Sequence, residues 1–200
     1  STRGMLSVNS GMAASNAVTI GLMFSSPNVL VVHPSVPVRT VPEFIAYLRA
    51  NPGRLNFASA GAGTASHLAG ELFNSMAKVK MIHVPYKGNV PAITDLLSGQ
   101  TSMLFATLAT VLPQAQANRL RPVAVLGAAR SKAIPEIPTL AESCLKGFAV
   151  DNWVGFFAAA GTPPAVVSKL NGEILRVMRL PEVQEQLPKQ GLSFMPTTPQ

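Results

Sequence analysis

Two hundred residues, 48% of them hydrophobic and 12% charged, describe a compact globular chain and exclude a disordered one. Sixteen Lys and Arg against nine Asp and Glu give a formal charge of +7. The cations are scattered, from Arg39, Arg49 and Arg54 to Arg130, Lys132 and Lys146, with no run and no aromatic-basic string, so they point to small anions or to solubility rather than nucleic acid.

Residues 1 to about 15 are small and polar without periodicity and are expected to be loop. Residues 18–24 and 28–32 are two expected strands, the second a β-branched run ended by Pro34 and Pro37. The apolar stretch they share is broken by Ser25, Ser26, Pro27 and Asn28, which is wrong for a membrane span. No signal peptide is visible, and an export signal can lie upstream of Ser1. Thr40-Val41-Pro42-Glu43 is a capping box with proline in the first turn, and Phe44, Ile45 and Leu48 form the apolar face of the helix it opens.

Residues 56–73 then predict a short strand at Phe57 and Ala58, a glycine turn, and a helix with Leu68, Leu72, Phe73 and Met76 on one face. Such a turn aims free N–H groups and the positive end of the helix dipole at one spot, which favours an anion. No acid competes there, and Ser59, Thr64 and Ser66 add hydroxyls. A glycine-rich turn that binds nothing fits the loop equally well. The Rossmann fingerprint lacks its third Gly, and no Gly-Lys-Ser/Thr is present for a P-loop.

Residues 81–84 predict a strand, 91–97 a helix stopped at Gly99, 103–105 a strand, 108–117 a helix interrupted by Pro113, and 121–126 a strand. Strands alternating with short helices mean a mainly parallel sheet, whose carboxyl ends carry the functional loops. Residues 59–66, 85–89, 106–108 and 127–132 therefore share one ligand-facing edge. Tyr86-Lys87-Gly88-Asn89 brings a phenol, an ammonium and an amide there.

A proline-punctuated connection over 131–142 leads to a long strand at 151–157. Thr162-Pro163-Pro164 opens a helix with Val166, Val167, Leu170, Ile174, Val177 and Met178 on one face. A short helix at 181–187 and a strand at 192–195 follow, and Thr197-Thr198-Pro199 is a helix-start signal with no helix after it.

Catalysis has no local signature. His33, His67 and His83 lack metal-ligand spacing, Ser66 has no Gly-x-Ser-x-Gly elbow, and the acids stand singly, so no catalytic residue, metal or cofactor is expected. Cys144, the sole cysteine, is expected to be a buried inert thiol.

Taken in order, Pro27-Asn28-Val29-Leu30-Val31-Val32, residues 56–70 with Ser-Ala-Gly-x-Gly and Ser-His-Leu-Ala-Gly-Glu, and His83-Val84-Pro85-Tyr86-Lys87-Gly88 resemble one family. So do Asp95-Leu96-Leu97-Ser98-Gly99-Gln100, Pro135-x-Ile137-Pro138-Thr139 and Ala159-Ala160-Gly161-Thr162-Pro163. It is the Bordetella uptake gene (Bug) family, the extracytoplasmic solute-binding proteins of tripartite tricarboxylate transporters. The resemblance covers nearly the whole chain from about Asn16 onward.

That resemblance implies an α/β fold, a type II periplasmic-binding-protein-like clamshell. Residues 1–30 would supply one crossing strand and part of the first lobe, 31–148 the complete second lobe, and 149–200 the second crossing strand with more of the first. It further implies a non-enzymatic periplasmic protein that captures small carboxylates and passes them to membrane transporter subunits. Ser59, Ala60, Gly61, Gly63, Thr64 and Ser66 match the family's carboxylate-facing loop, Tyr86, Lys87 and Gly88 its second loop, and Ala106 and Thr107 complete the implied site.

Two departures stand out. The family's upstream strand and Pro-Gly-Gly loop have no counterpart, so the first lobe is expected to be partial, with an uncovered apolar stripe open to self-association. Two family acids are replaced by Ser102 and Ala106, which favours a plain di- or tricarboxylate over an amino acid. The rival expectations are an α/β enzyme acting on a carboxylate or phosphate ester, and a domain that binds nothing.

Overall fold

The computed structural model describes residues 17–198; the expectation for residues 1 to about 15 lies outside them, as do Pro199 and Gln200. Its organising element is β1 (Ala17–Val32), one continuous strand of 16 residues where two were expected. The apparent break at Ser25-Ser26-Pro27-Asn28 is the point where β1 leaves one sheet for another. Ser26 and Asn28 are both buried there. Ser26 Oγ donates to the Gly191 carbonyl at 3.2 Å, and the Asn28 carbonyl accepts the Leu126 N–H at 2.8 Å. Pro27, with no N–H to offer a ladder, occupies the switch itself.

The second half of β1 lies between β4 (Met103–Thr107) and β5 (Arg121–Val125), antiparallel to both, with Val29 opposite Ala106 on one side and Val125 on the other. β2 (Asn56–Ser59) and β3 (Ile82–Pro85) complete a sheet of order β3-β2-β4-β1-β5 in which β1 alone runs against the rest. Alternate side chains feed two cores. One holds Leu30, Phe57 and Phe105 with Phe44 and Leu48 of α1 (Val41–Ala50) and Phe73 of α2 (Ala65–Ala77). The other holds Val29, Val31 and Leu104 with Leu96 of α3 (Asn89–Leu97) and Leu108 and Val111 of α4 (Leu108–Gln116). Each such side chain stabilises by about 1.5–3 kcal/mol on burial.

α2 turns a different face inward from the one its large residues predict. Ser66, Ala69, Gly70, Phe73 and Ala77 are buried, while Leu68 and Leu72 are exposed. Small residues face the sheet because the Phe57 ring lies against the helix at Gly70. Two caps also differ from expectation. In α1, Thr40 Oγ1 accepts the Glu43 N–H at 3.3 Å, but Glu43 reaches back to the Arg39 N–H at 2.8 Å instead of closing the box on Thr40. A complete box forms where none was expected: Thr139 and Glu142 cap each other's N–H at 3.0 Å and open the short α5 (Leu140–Ser143). Cys144, which follows it, is exposed rather than buried.

The first half of β1 is sandwiched between β6 (Asp151–Ala159) and β7 (Ser193–Phe194), with Pro27 opposite Asp151 and Ser25 opposite Ser193. α6 (Pro164–Met178) packs on this smaller sheet, and α7 (Pro181–Lys189) follows. Asn171 on α6 is buried and clamps the strand: its Nδ2 donates to the Ile20 carbonyl at 2.8 Å and the Thr197 carbonyl at 3.1 Å. Thr197, within the helix-start signal, is held to β1. Its hydroxyl accepts the Leu22 N–H at 2.8 Å. Of the apolar stripe expected on α6, Val167 is buried, while Val166, Leu170 and Val177 are exposed, as are Phe156 and Phe157 of β6. The larger sheet has helices on both faces; the smaller one leaves much of its apolar surface uncovered.

Candidate functional site

The carboxyl ends of β2, β3 and β4 open into loops that lead directly into α2, α3 and α4. Two of these loops are tied together: the Tyr86 N–H donates to the Ser59 carbonyl at 3.0 Å and the Gly88 N–H to the Ala60 carbonyl at 2.9 Å. Gly61 and Gly63 hold φ values of +136° and +79°, so the turn between them uses backbone conformations that side chains with a Cβ resist.

Much of the glycine turn is internally bonded. The Ala60 N–H donates to Ser66 Oγ at 3.0 Å, the Gly61 N–H to Ser59 Oγ at 3.1 Å, and the Gly63 N–H to His67 Nδ1 at 3.1 Å. Thr64 Oγ1 donates to the Gly61 carbonyl at 2.6 Å and lies 3.0 Å from Ser66 Oγ. These bonds shape the turn. The donors left over are the first-turn N–H groups of α2, which no side chain caps.

The same holds at α3, whose N-cap is Gly88, and at α4, whose N-cap is Thr107: neither has a side-chain cap, and none of the three helices has an acid in its first turn. α1 and α5, which do not start at this edge, each have a threonine cap and a glutamate. Three uncapped positive helix ends on one sheet edge form a surface suited to a carboxylate.

The remaining predicted residues are disposed as follows. Lys87 is exposed beside the turn. The Tyr86 hydroxyl is engaged, donating to Asp95 Oδ2 at 2.7 Å. Partial burial, and then that bond, push the phenol pKa up to about 12. One of the chain's two tyrosines is therefore expected to ionise near pH 12 in an ultraviolet titration, with Asp95→Asn lowering the midpoint. The stability tied to this phenol is complete below about pH 10 and lost as pH rises through 12. A midpoint that ignores Asp95→Asn would mean the bond does not form in solution.

Ala106 is buried. Thr107 Oγ1 donates to Asn28 Oδ1 at 3.4 Å and accepts from Asn152 Nδ2 at 3.2 Å, joining β4 to β1 and β6. Asn28 Nδ2 is buried without a partner. Asp151 sits close by, its Oδ1 2.5 Å from where a Cβ on Gly127 would stand. Asp151 keeps solvent access, and partial burial raises its pKa above the ordinary carboxylate value. Ser102 lies at the opposite end of β4, where its N–H donates to Asn56 Oδ1 at 2.7 Å, so of the two replaced acids only the one at Ala106 stands towards the end of β4 that opens into α4. In the fourth loop, Arg130 turns to Glu142 at 2.8 Å.

Sequence reasoning missed a stack behind the turn. His83 lies between the rings of Phe57 and His67, at centroid distances of 4.8 and 4.2 Å, and its Nε2 is 2.7 Å from Ser59 Oγ. Its pKa is lowered, first by burial and then by His67, with Glu71 opposing. Among the described residues no group of three His, Cys, Asp or Glu is placed to hold a metal, and no helix is long and apolar enough to cross a membrane. A recess of about 320 Å³ between Ser131–Ala133 and the α7–β7 segment contains none of the predicted site residues.

Residues 13–200 match the family described as tripartite tricarboxylate transporter family receptor. The protein of the tcbD-tcbE intergenic region of a Pseudomonas sp. is 40% identical over 176 residues, 88% of this chain and 52% of that one. The chain thus spans about half the length of this curated relative. An R. palustris protein solved with adipate superposes with a TM-score of 0.88 at 30% identity, over 92% of this chain and 62% of that one. MatC from Rhodopseudomonas palustris, solved with bound malate, gives 0.80 at 29% identity, over 87% and 59%. The α/β architecture is that of periplasmic solute-binding proteins, of which the chain covers 59–62% in the neighbours BugD, a periplasmic transporter and the adipate-bound protein.

Proposed function

This chain belongs to the tripartite tricarboxylate transporter receptor family, and we propose that it forms the part of a periplasmic solute-binding protein that offers an anion-binding edge to small carboxylates. One observation carries the reading. The uncapped, acid-free starts of α2, α3 and α4 converge on one sheet edge, whereas α1 and α5, which start elsewhere, are capped and carry a first-turn acid, and α6, also uncapped and acid-free, follows β6 alone. In this reading residues 31–148 are the binding lobe, and 1–30 with 149–200 belong to the other. Ser59, Ala60, Gly61, Gly63, Thr64 and Ser66 shape the turn, Tyr86, Lys87 and Gly88 flank it, and Ala106 and Thr107 end the neighbouring strand. The bound carboxylate passes to membrane subunits of the transporter.

The adipate and malate held by the two structural relatives share paired carboxylates, which supports a dicarboxylate here. Binding fits better than turnover. Ser59, the hydroxyl next to an imidazole, is fully buried and engaged in the turn, so it cannot reach a substrate. A clamshell gains affinity by closing two lobes over a ligand. This chain alone is therefore expected to bind weakly, at about millimolar Kd, or about 4 kcal/mol. The uncovered apolar stripe of α6 and β6 favours self-association.

Calorimetry and amide NMR with succinate, adipate, malate and their diamides test the reading. The acids are expected to shift first-turn amides of α2, α3 and α4, and the diamides to leave them alone. Ester turnover that disappears in Ser66→Ala would overturn the assignment in favour of an enzyme.

A further inference from the structure

We propose that His83 is a positioning residue that takes up a proton when the glycine turn binds an anion, an inference that rests on the carboxylate-binding reading above. The geometry lets His83 change charge without breaking the turn. The Gly63 N–H donates to His67 Nδ1 at 3.1 Å, which ties that ring nitrogen into the turn as an acceptor. His83 has no such constraint. Its Nε2 faces Ser59 Oγ at 2.7 Å, and Ser59 Oγ lies within reach of both the Gly61 N–H, at 3.1 Å, and the Gly61 carbonyl, at 3.2 Å.

Ser59 has one hydroxyl proton to place. With His83 Nε2 bare, Ser59 donates to the ring. With Nε2 protonated, the ring donates to Ser59 Oγ, and the hydroxyl proton turns to the Gly61 carbonyl, which Thr64 Oγ1 also supplies with a donor at 2.6 Å. In both states Ser59 Oγ still accepts the Gly61 N–H. The charged state adds a second donor to the Gly61 carbonyl and so tightens the turn as the charge arrives.

The ionisable groups facing His83 are few. α2 contributes His67 and Glu71, and β2 (Asn56-Phe57-Ala58-Ser59) contributes none. The Phe57 ring on its other face favours an imidazolium. In the empty protein, burial and His67 outweigh Glu71 and hold the pKa below its ordinary value. A carboxylate on the turn adds the missing negative charge. The sign follows: the bound form has the higher pKa, so affinity rises as pH falls through that value and levels off below the pKa of the free form.

The test is an NMR titration of the histidine rings of the whole chain, with and without saturating succinate, which separates each ring from the ligand's own ionisation. The His83 midpoint is expected about one pH unit higher with succinate, making affinity about tenfold greater once the ring is fully protonated. H83Q should lose the protein's share of the pH dependence. Turn amides that respond to succinate while His83 titrates unchanged would overturn this inference alone. Turn amides that ignore succinate would overturn the binding reading and this inference with it.

Discussion

Gly70→Ala is expected to destabilise the chain by about 2 kcal/mol, although alanine is the better helix former by about 1 kcal/mol. The added Cβ would stand 2.6 Å from Cζ and 2.7 Å from Cδ2 of Phe57, and closer still to Cε2. That ring has nowhere to go. It is fully buried, edge-on to Phe105 at 5.9 Å and stacked on His83 at 4.8 Å. Either α2 lifts from the sheet or the aromatic stack shifts, and either change reaches the turn. Calorimetric melting should show Tm lower by about 4–8 °C. A variant that melts at or above the parent would show that the ring has room to yield.

Gly61→Val is expected to abolish carboxylate binding, by about a hundredfold or about 2.8 kcal/mol, and to leave both sheets folded. At φ +136° a side chain is strained by about 1–3 kcal/mol. Its Cβ would also lie 3.1 Å from the Tyr86 carbonyl, a backbone atom held by the Tyr86 and Gly88 N–H bonds to the first loop. The turn must open, and α2 loses the geometry that presents its free N–H groups. Far-ultraviolet circular dichroism should match the parent while calorimetry with succinate goes flat. Unchanged affinity in a folded variant would remove this loop from the site.

Much of the fold was legible where a local signal and its tertiary use coincide. Phe44, Ile45 and Leu48 fill the core as their helical spacing predicts. The order of strand and helix brought the loops after β2, β3 and β4 to one sheet edge because βα connections leave little topological freedom. Legibility failed where distant groups resolve a local conflict. Ser26 and Asn28 look like a break until Gly191, Leu126 and Thr107 supply their partners. Leu68 and Leu72 look like a core face until the Phe57 ring takes the space at Gly70.

The site shows the same division. The glycine turn was visible because its residues are contiguous. The bond from Tyr86 to Asp95 and the stack of Phe57, His83 and His67 were not, since three elements meet there and no spacing in one segment encodes that. Ser102 and Ala106 look like one pair in the sequence, but they stand four positions apart along a strand that carries them to opposite ends.

The length of β1 has a consequence for how the molecule comes into being. Its second half finds a neighbour once Met103–Thr107 exists, but Ala17 pairs with Ala159 and Ser25 with Ser193. During synthesis from the amino end, the first half of this strand waits until residues 151–194 have been made. Every ladder it makes closes a long loop, which slows folding. Until then it presents a bare edge that can add to another chain. The strand that ties the two sheets together is thus the slowest to be satisfied, and the yield of refolded protein should fall as its concentration rises.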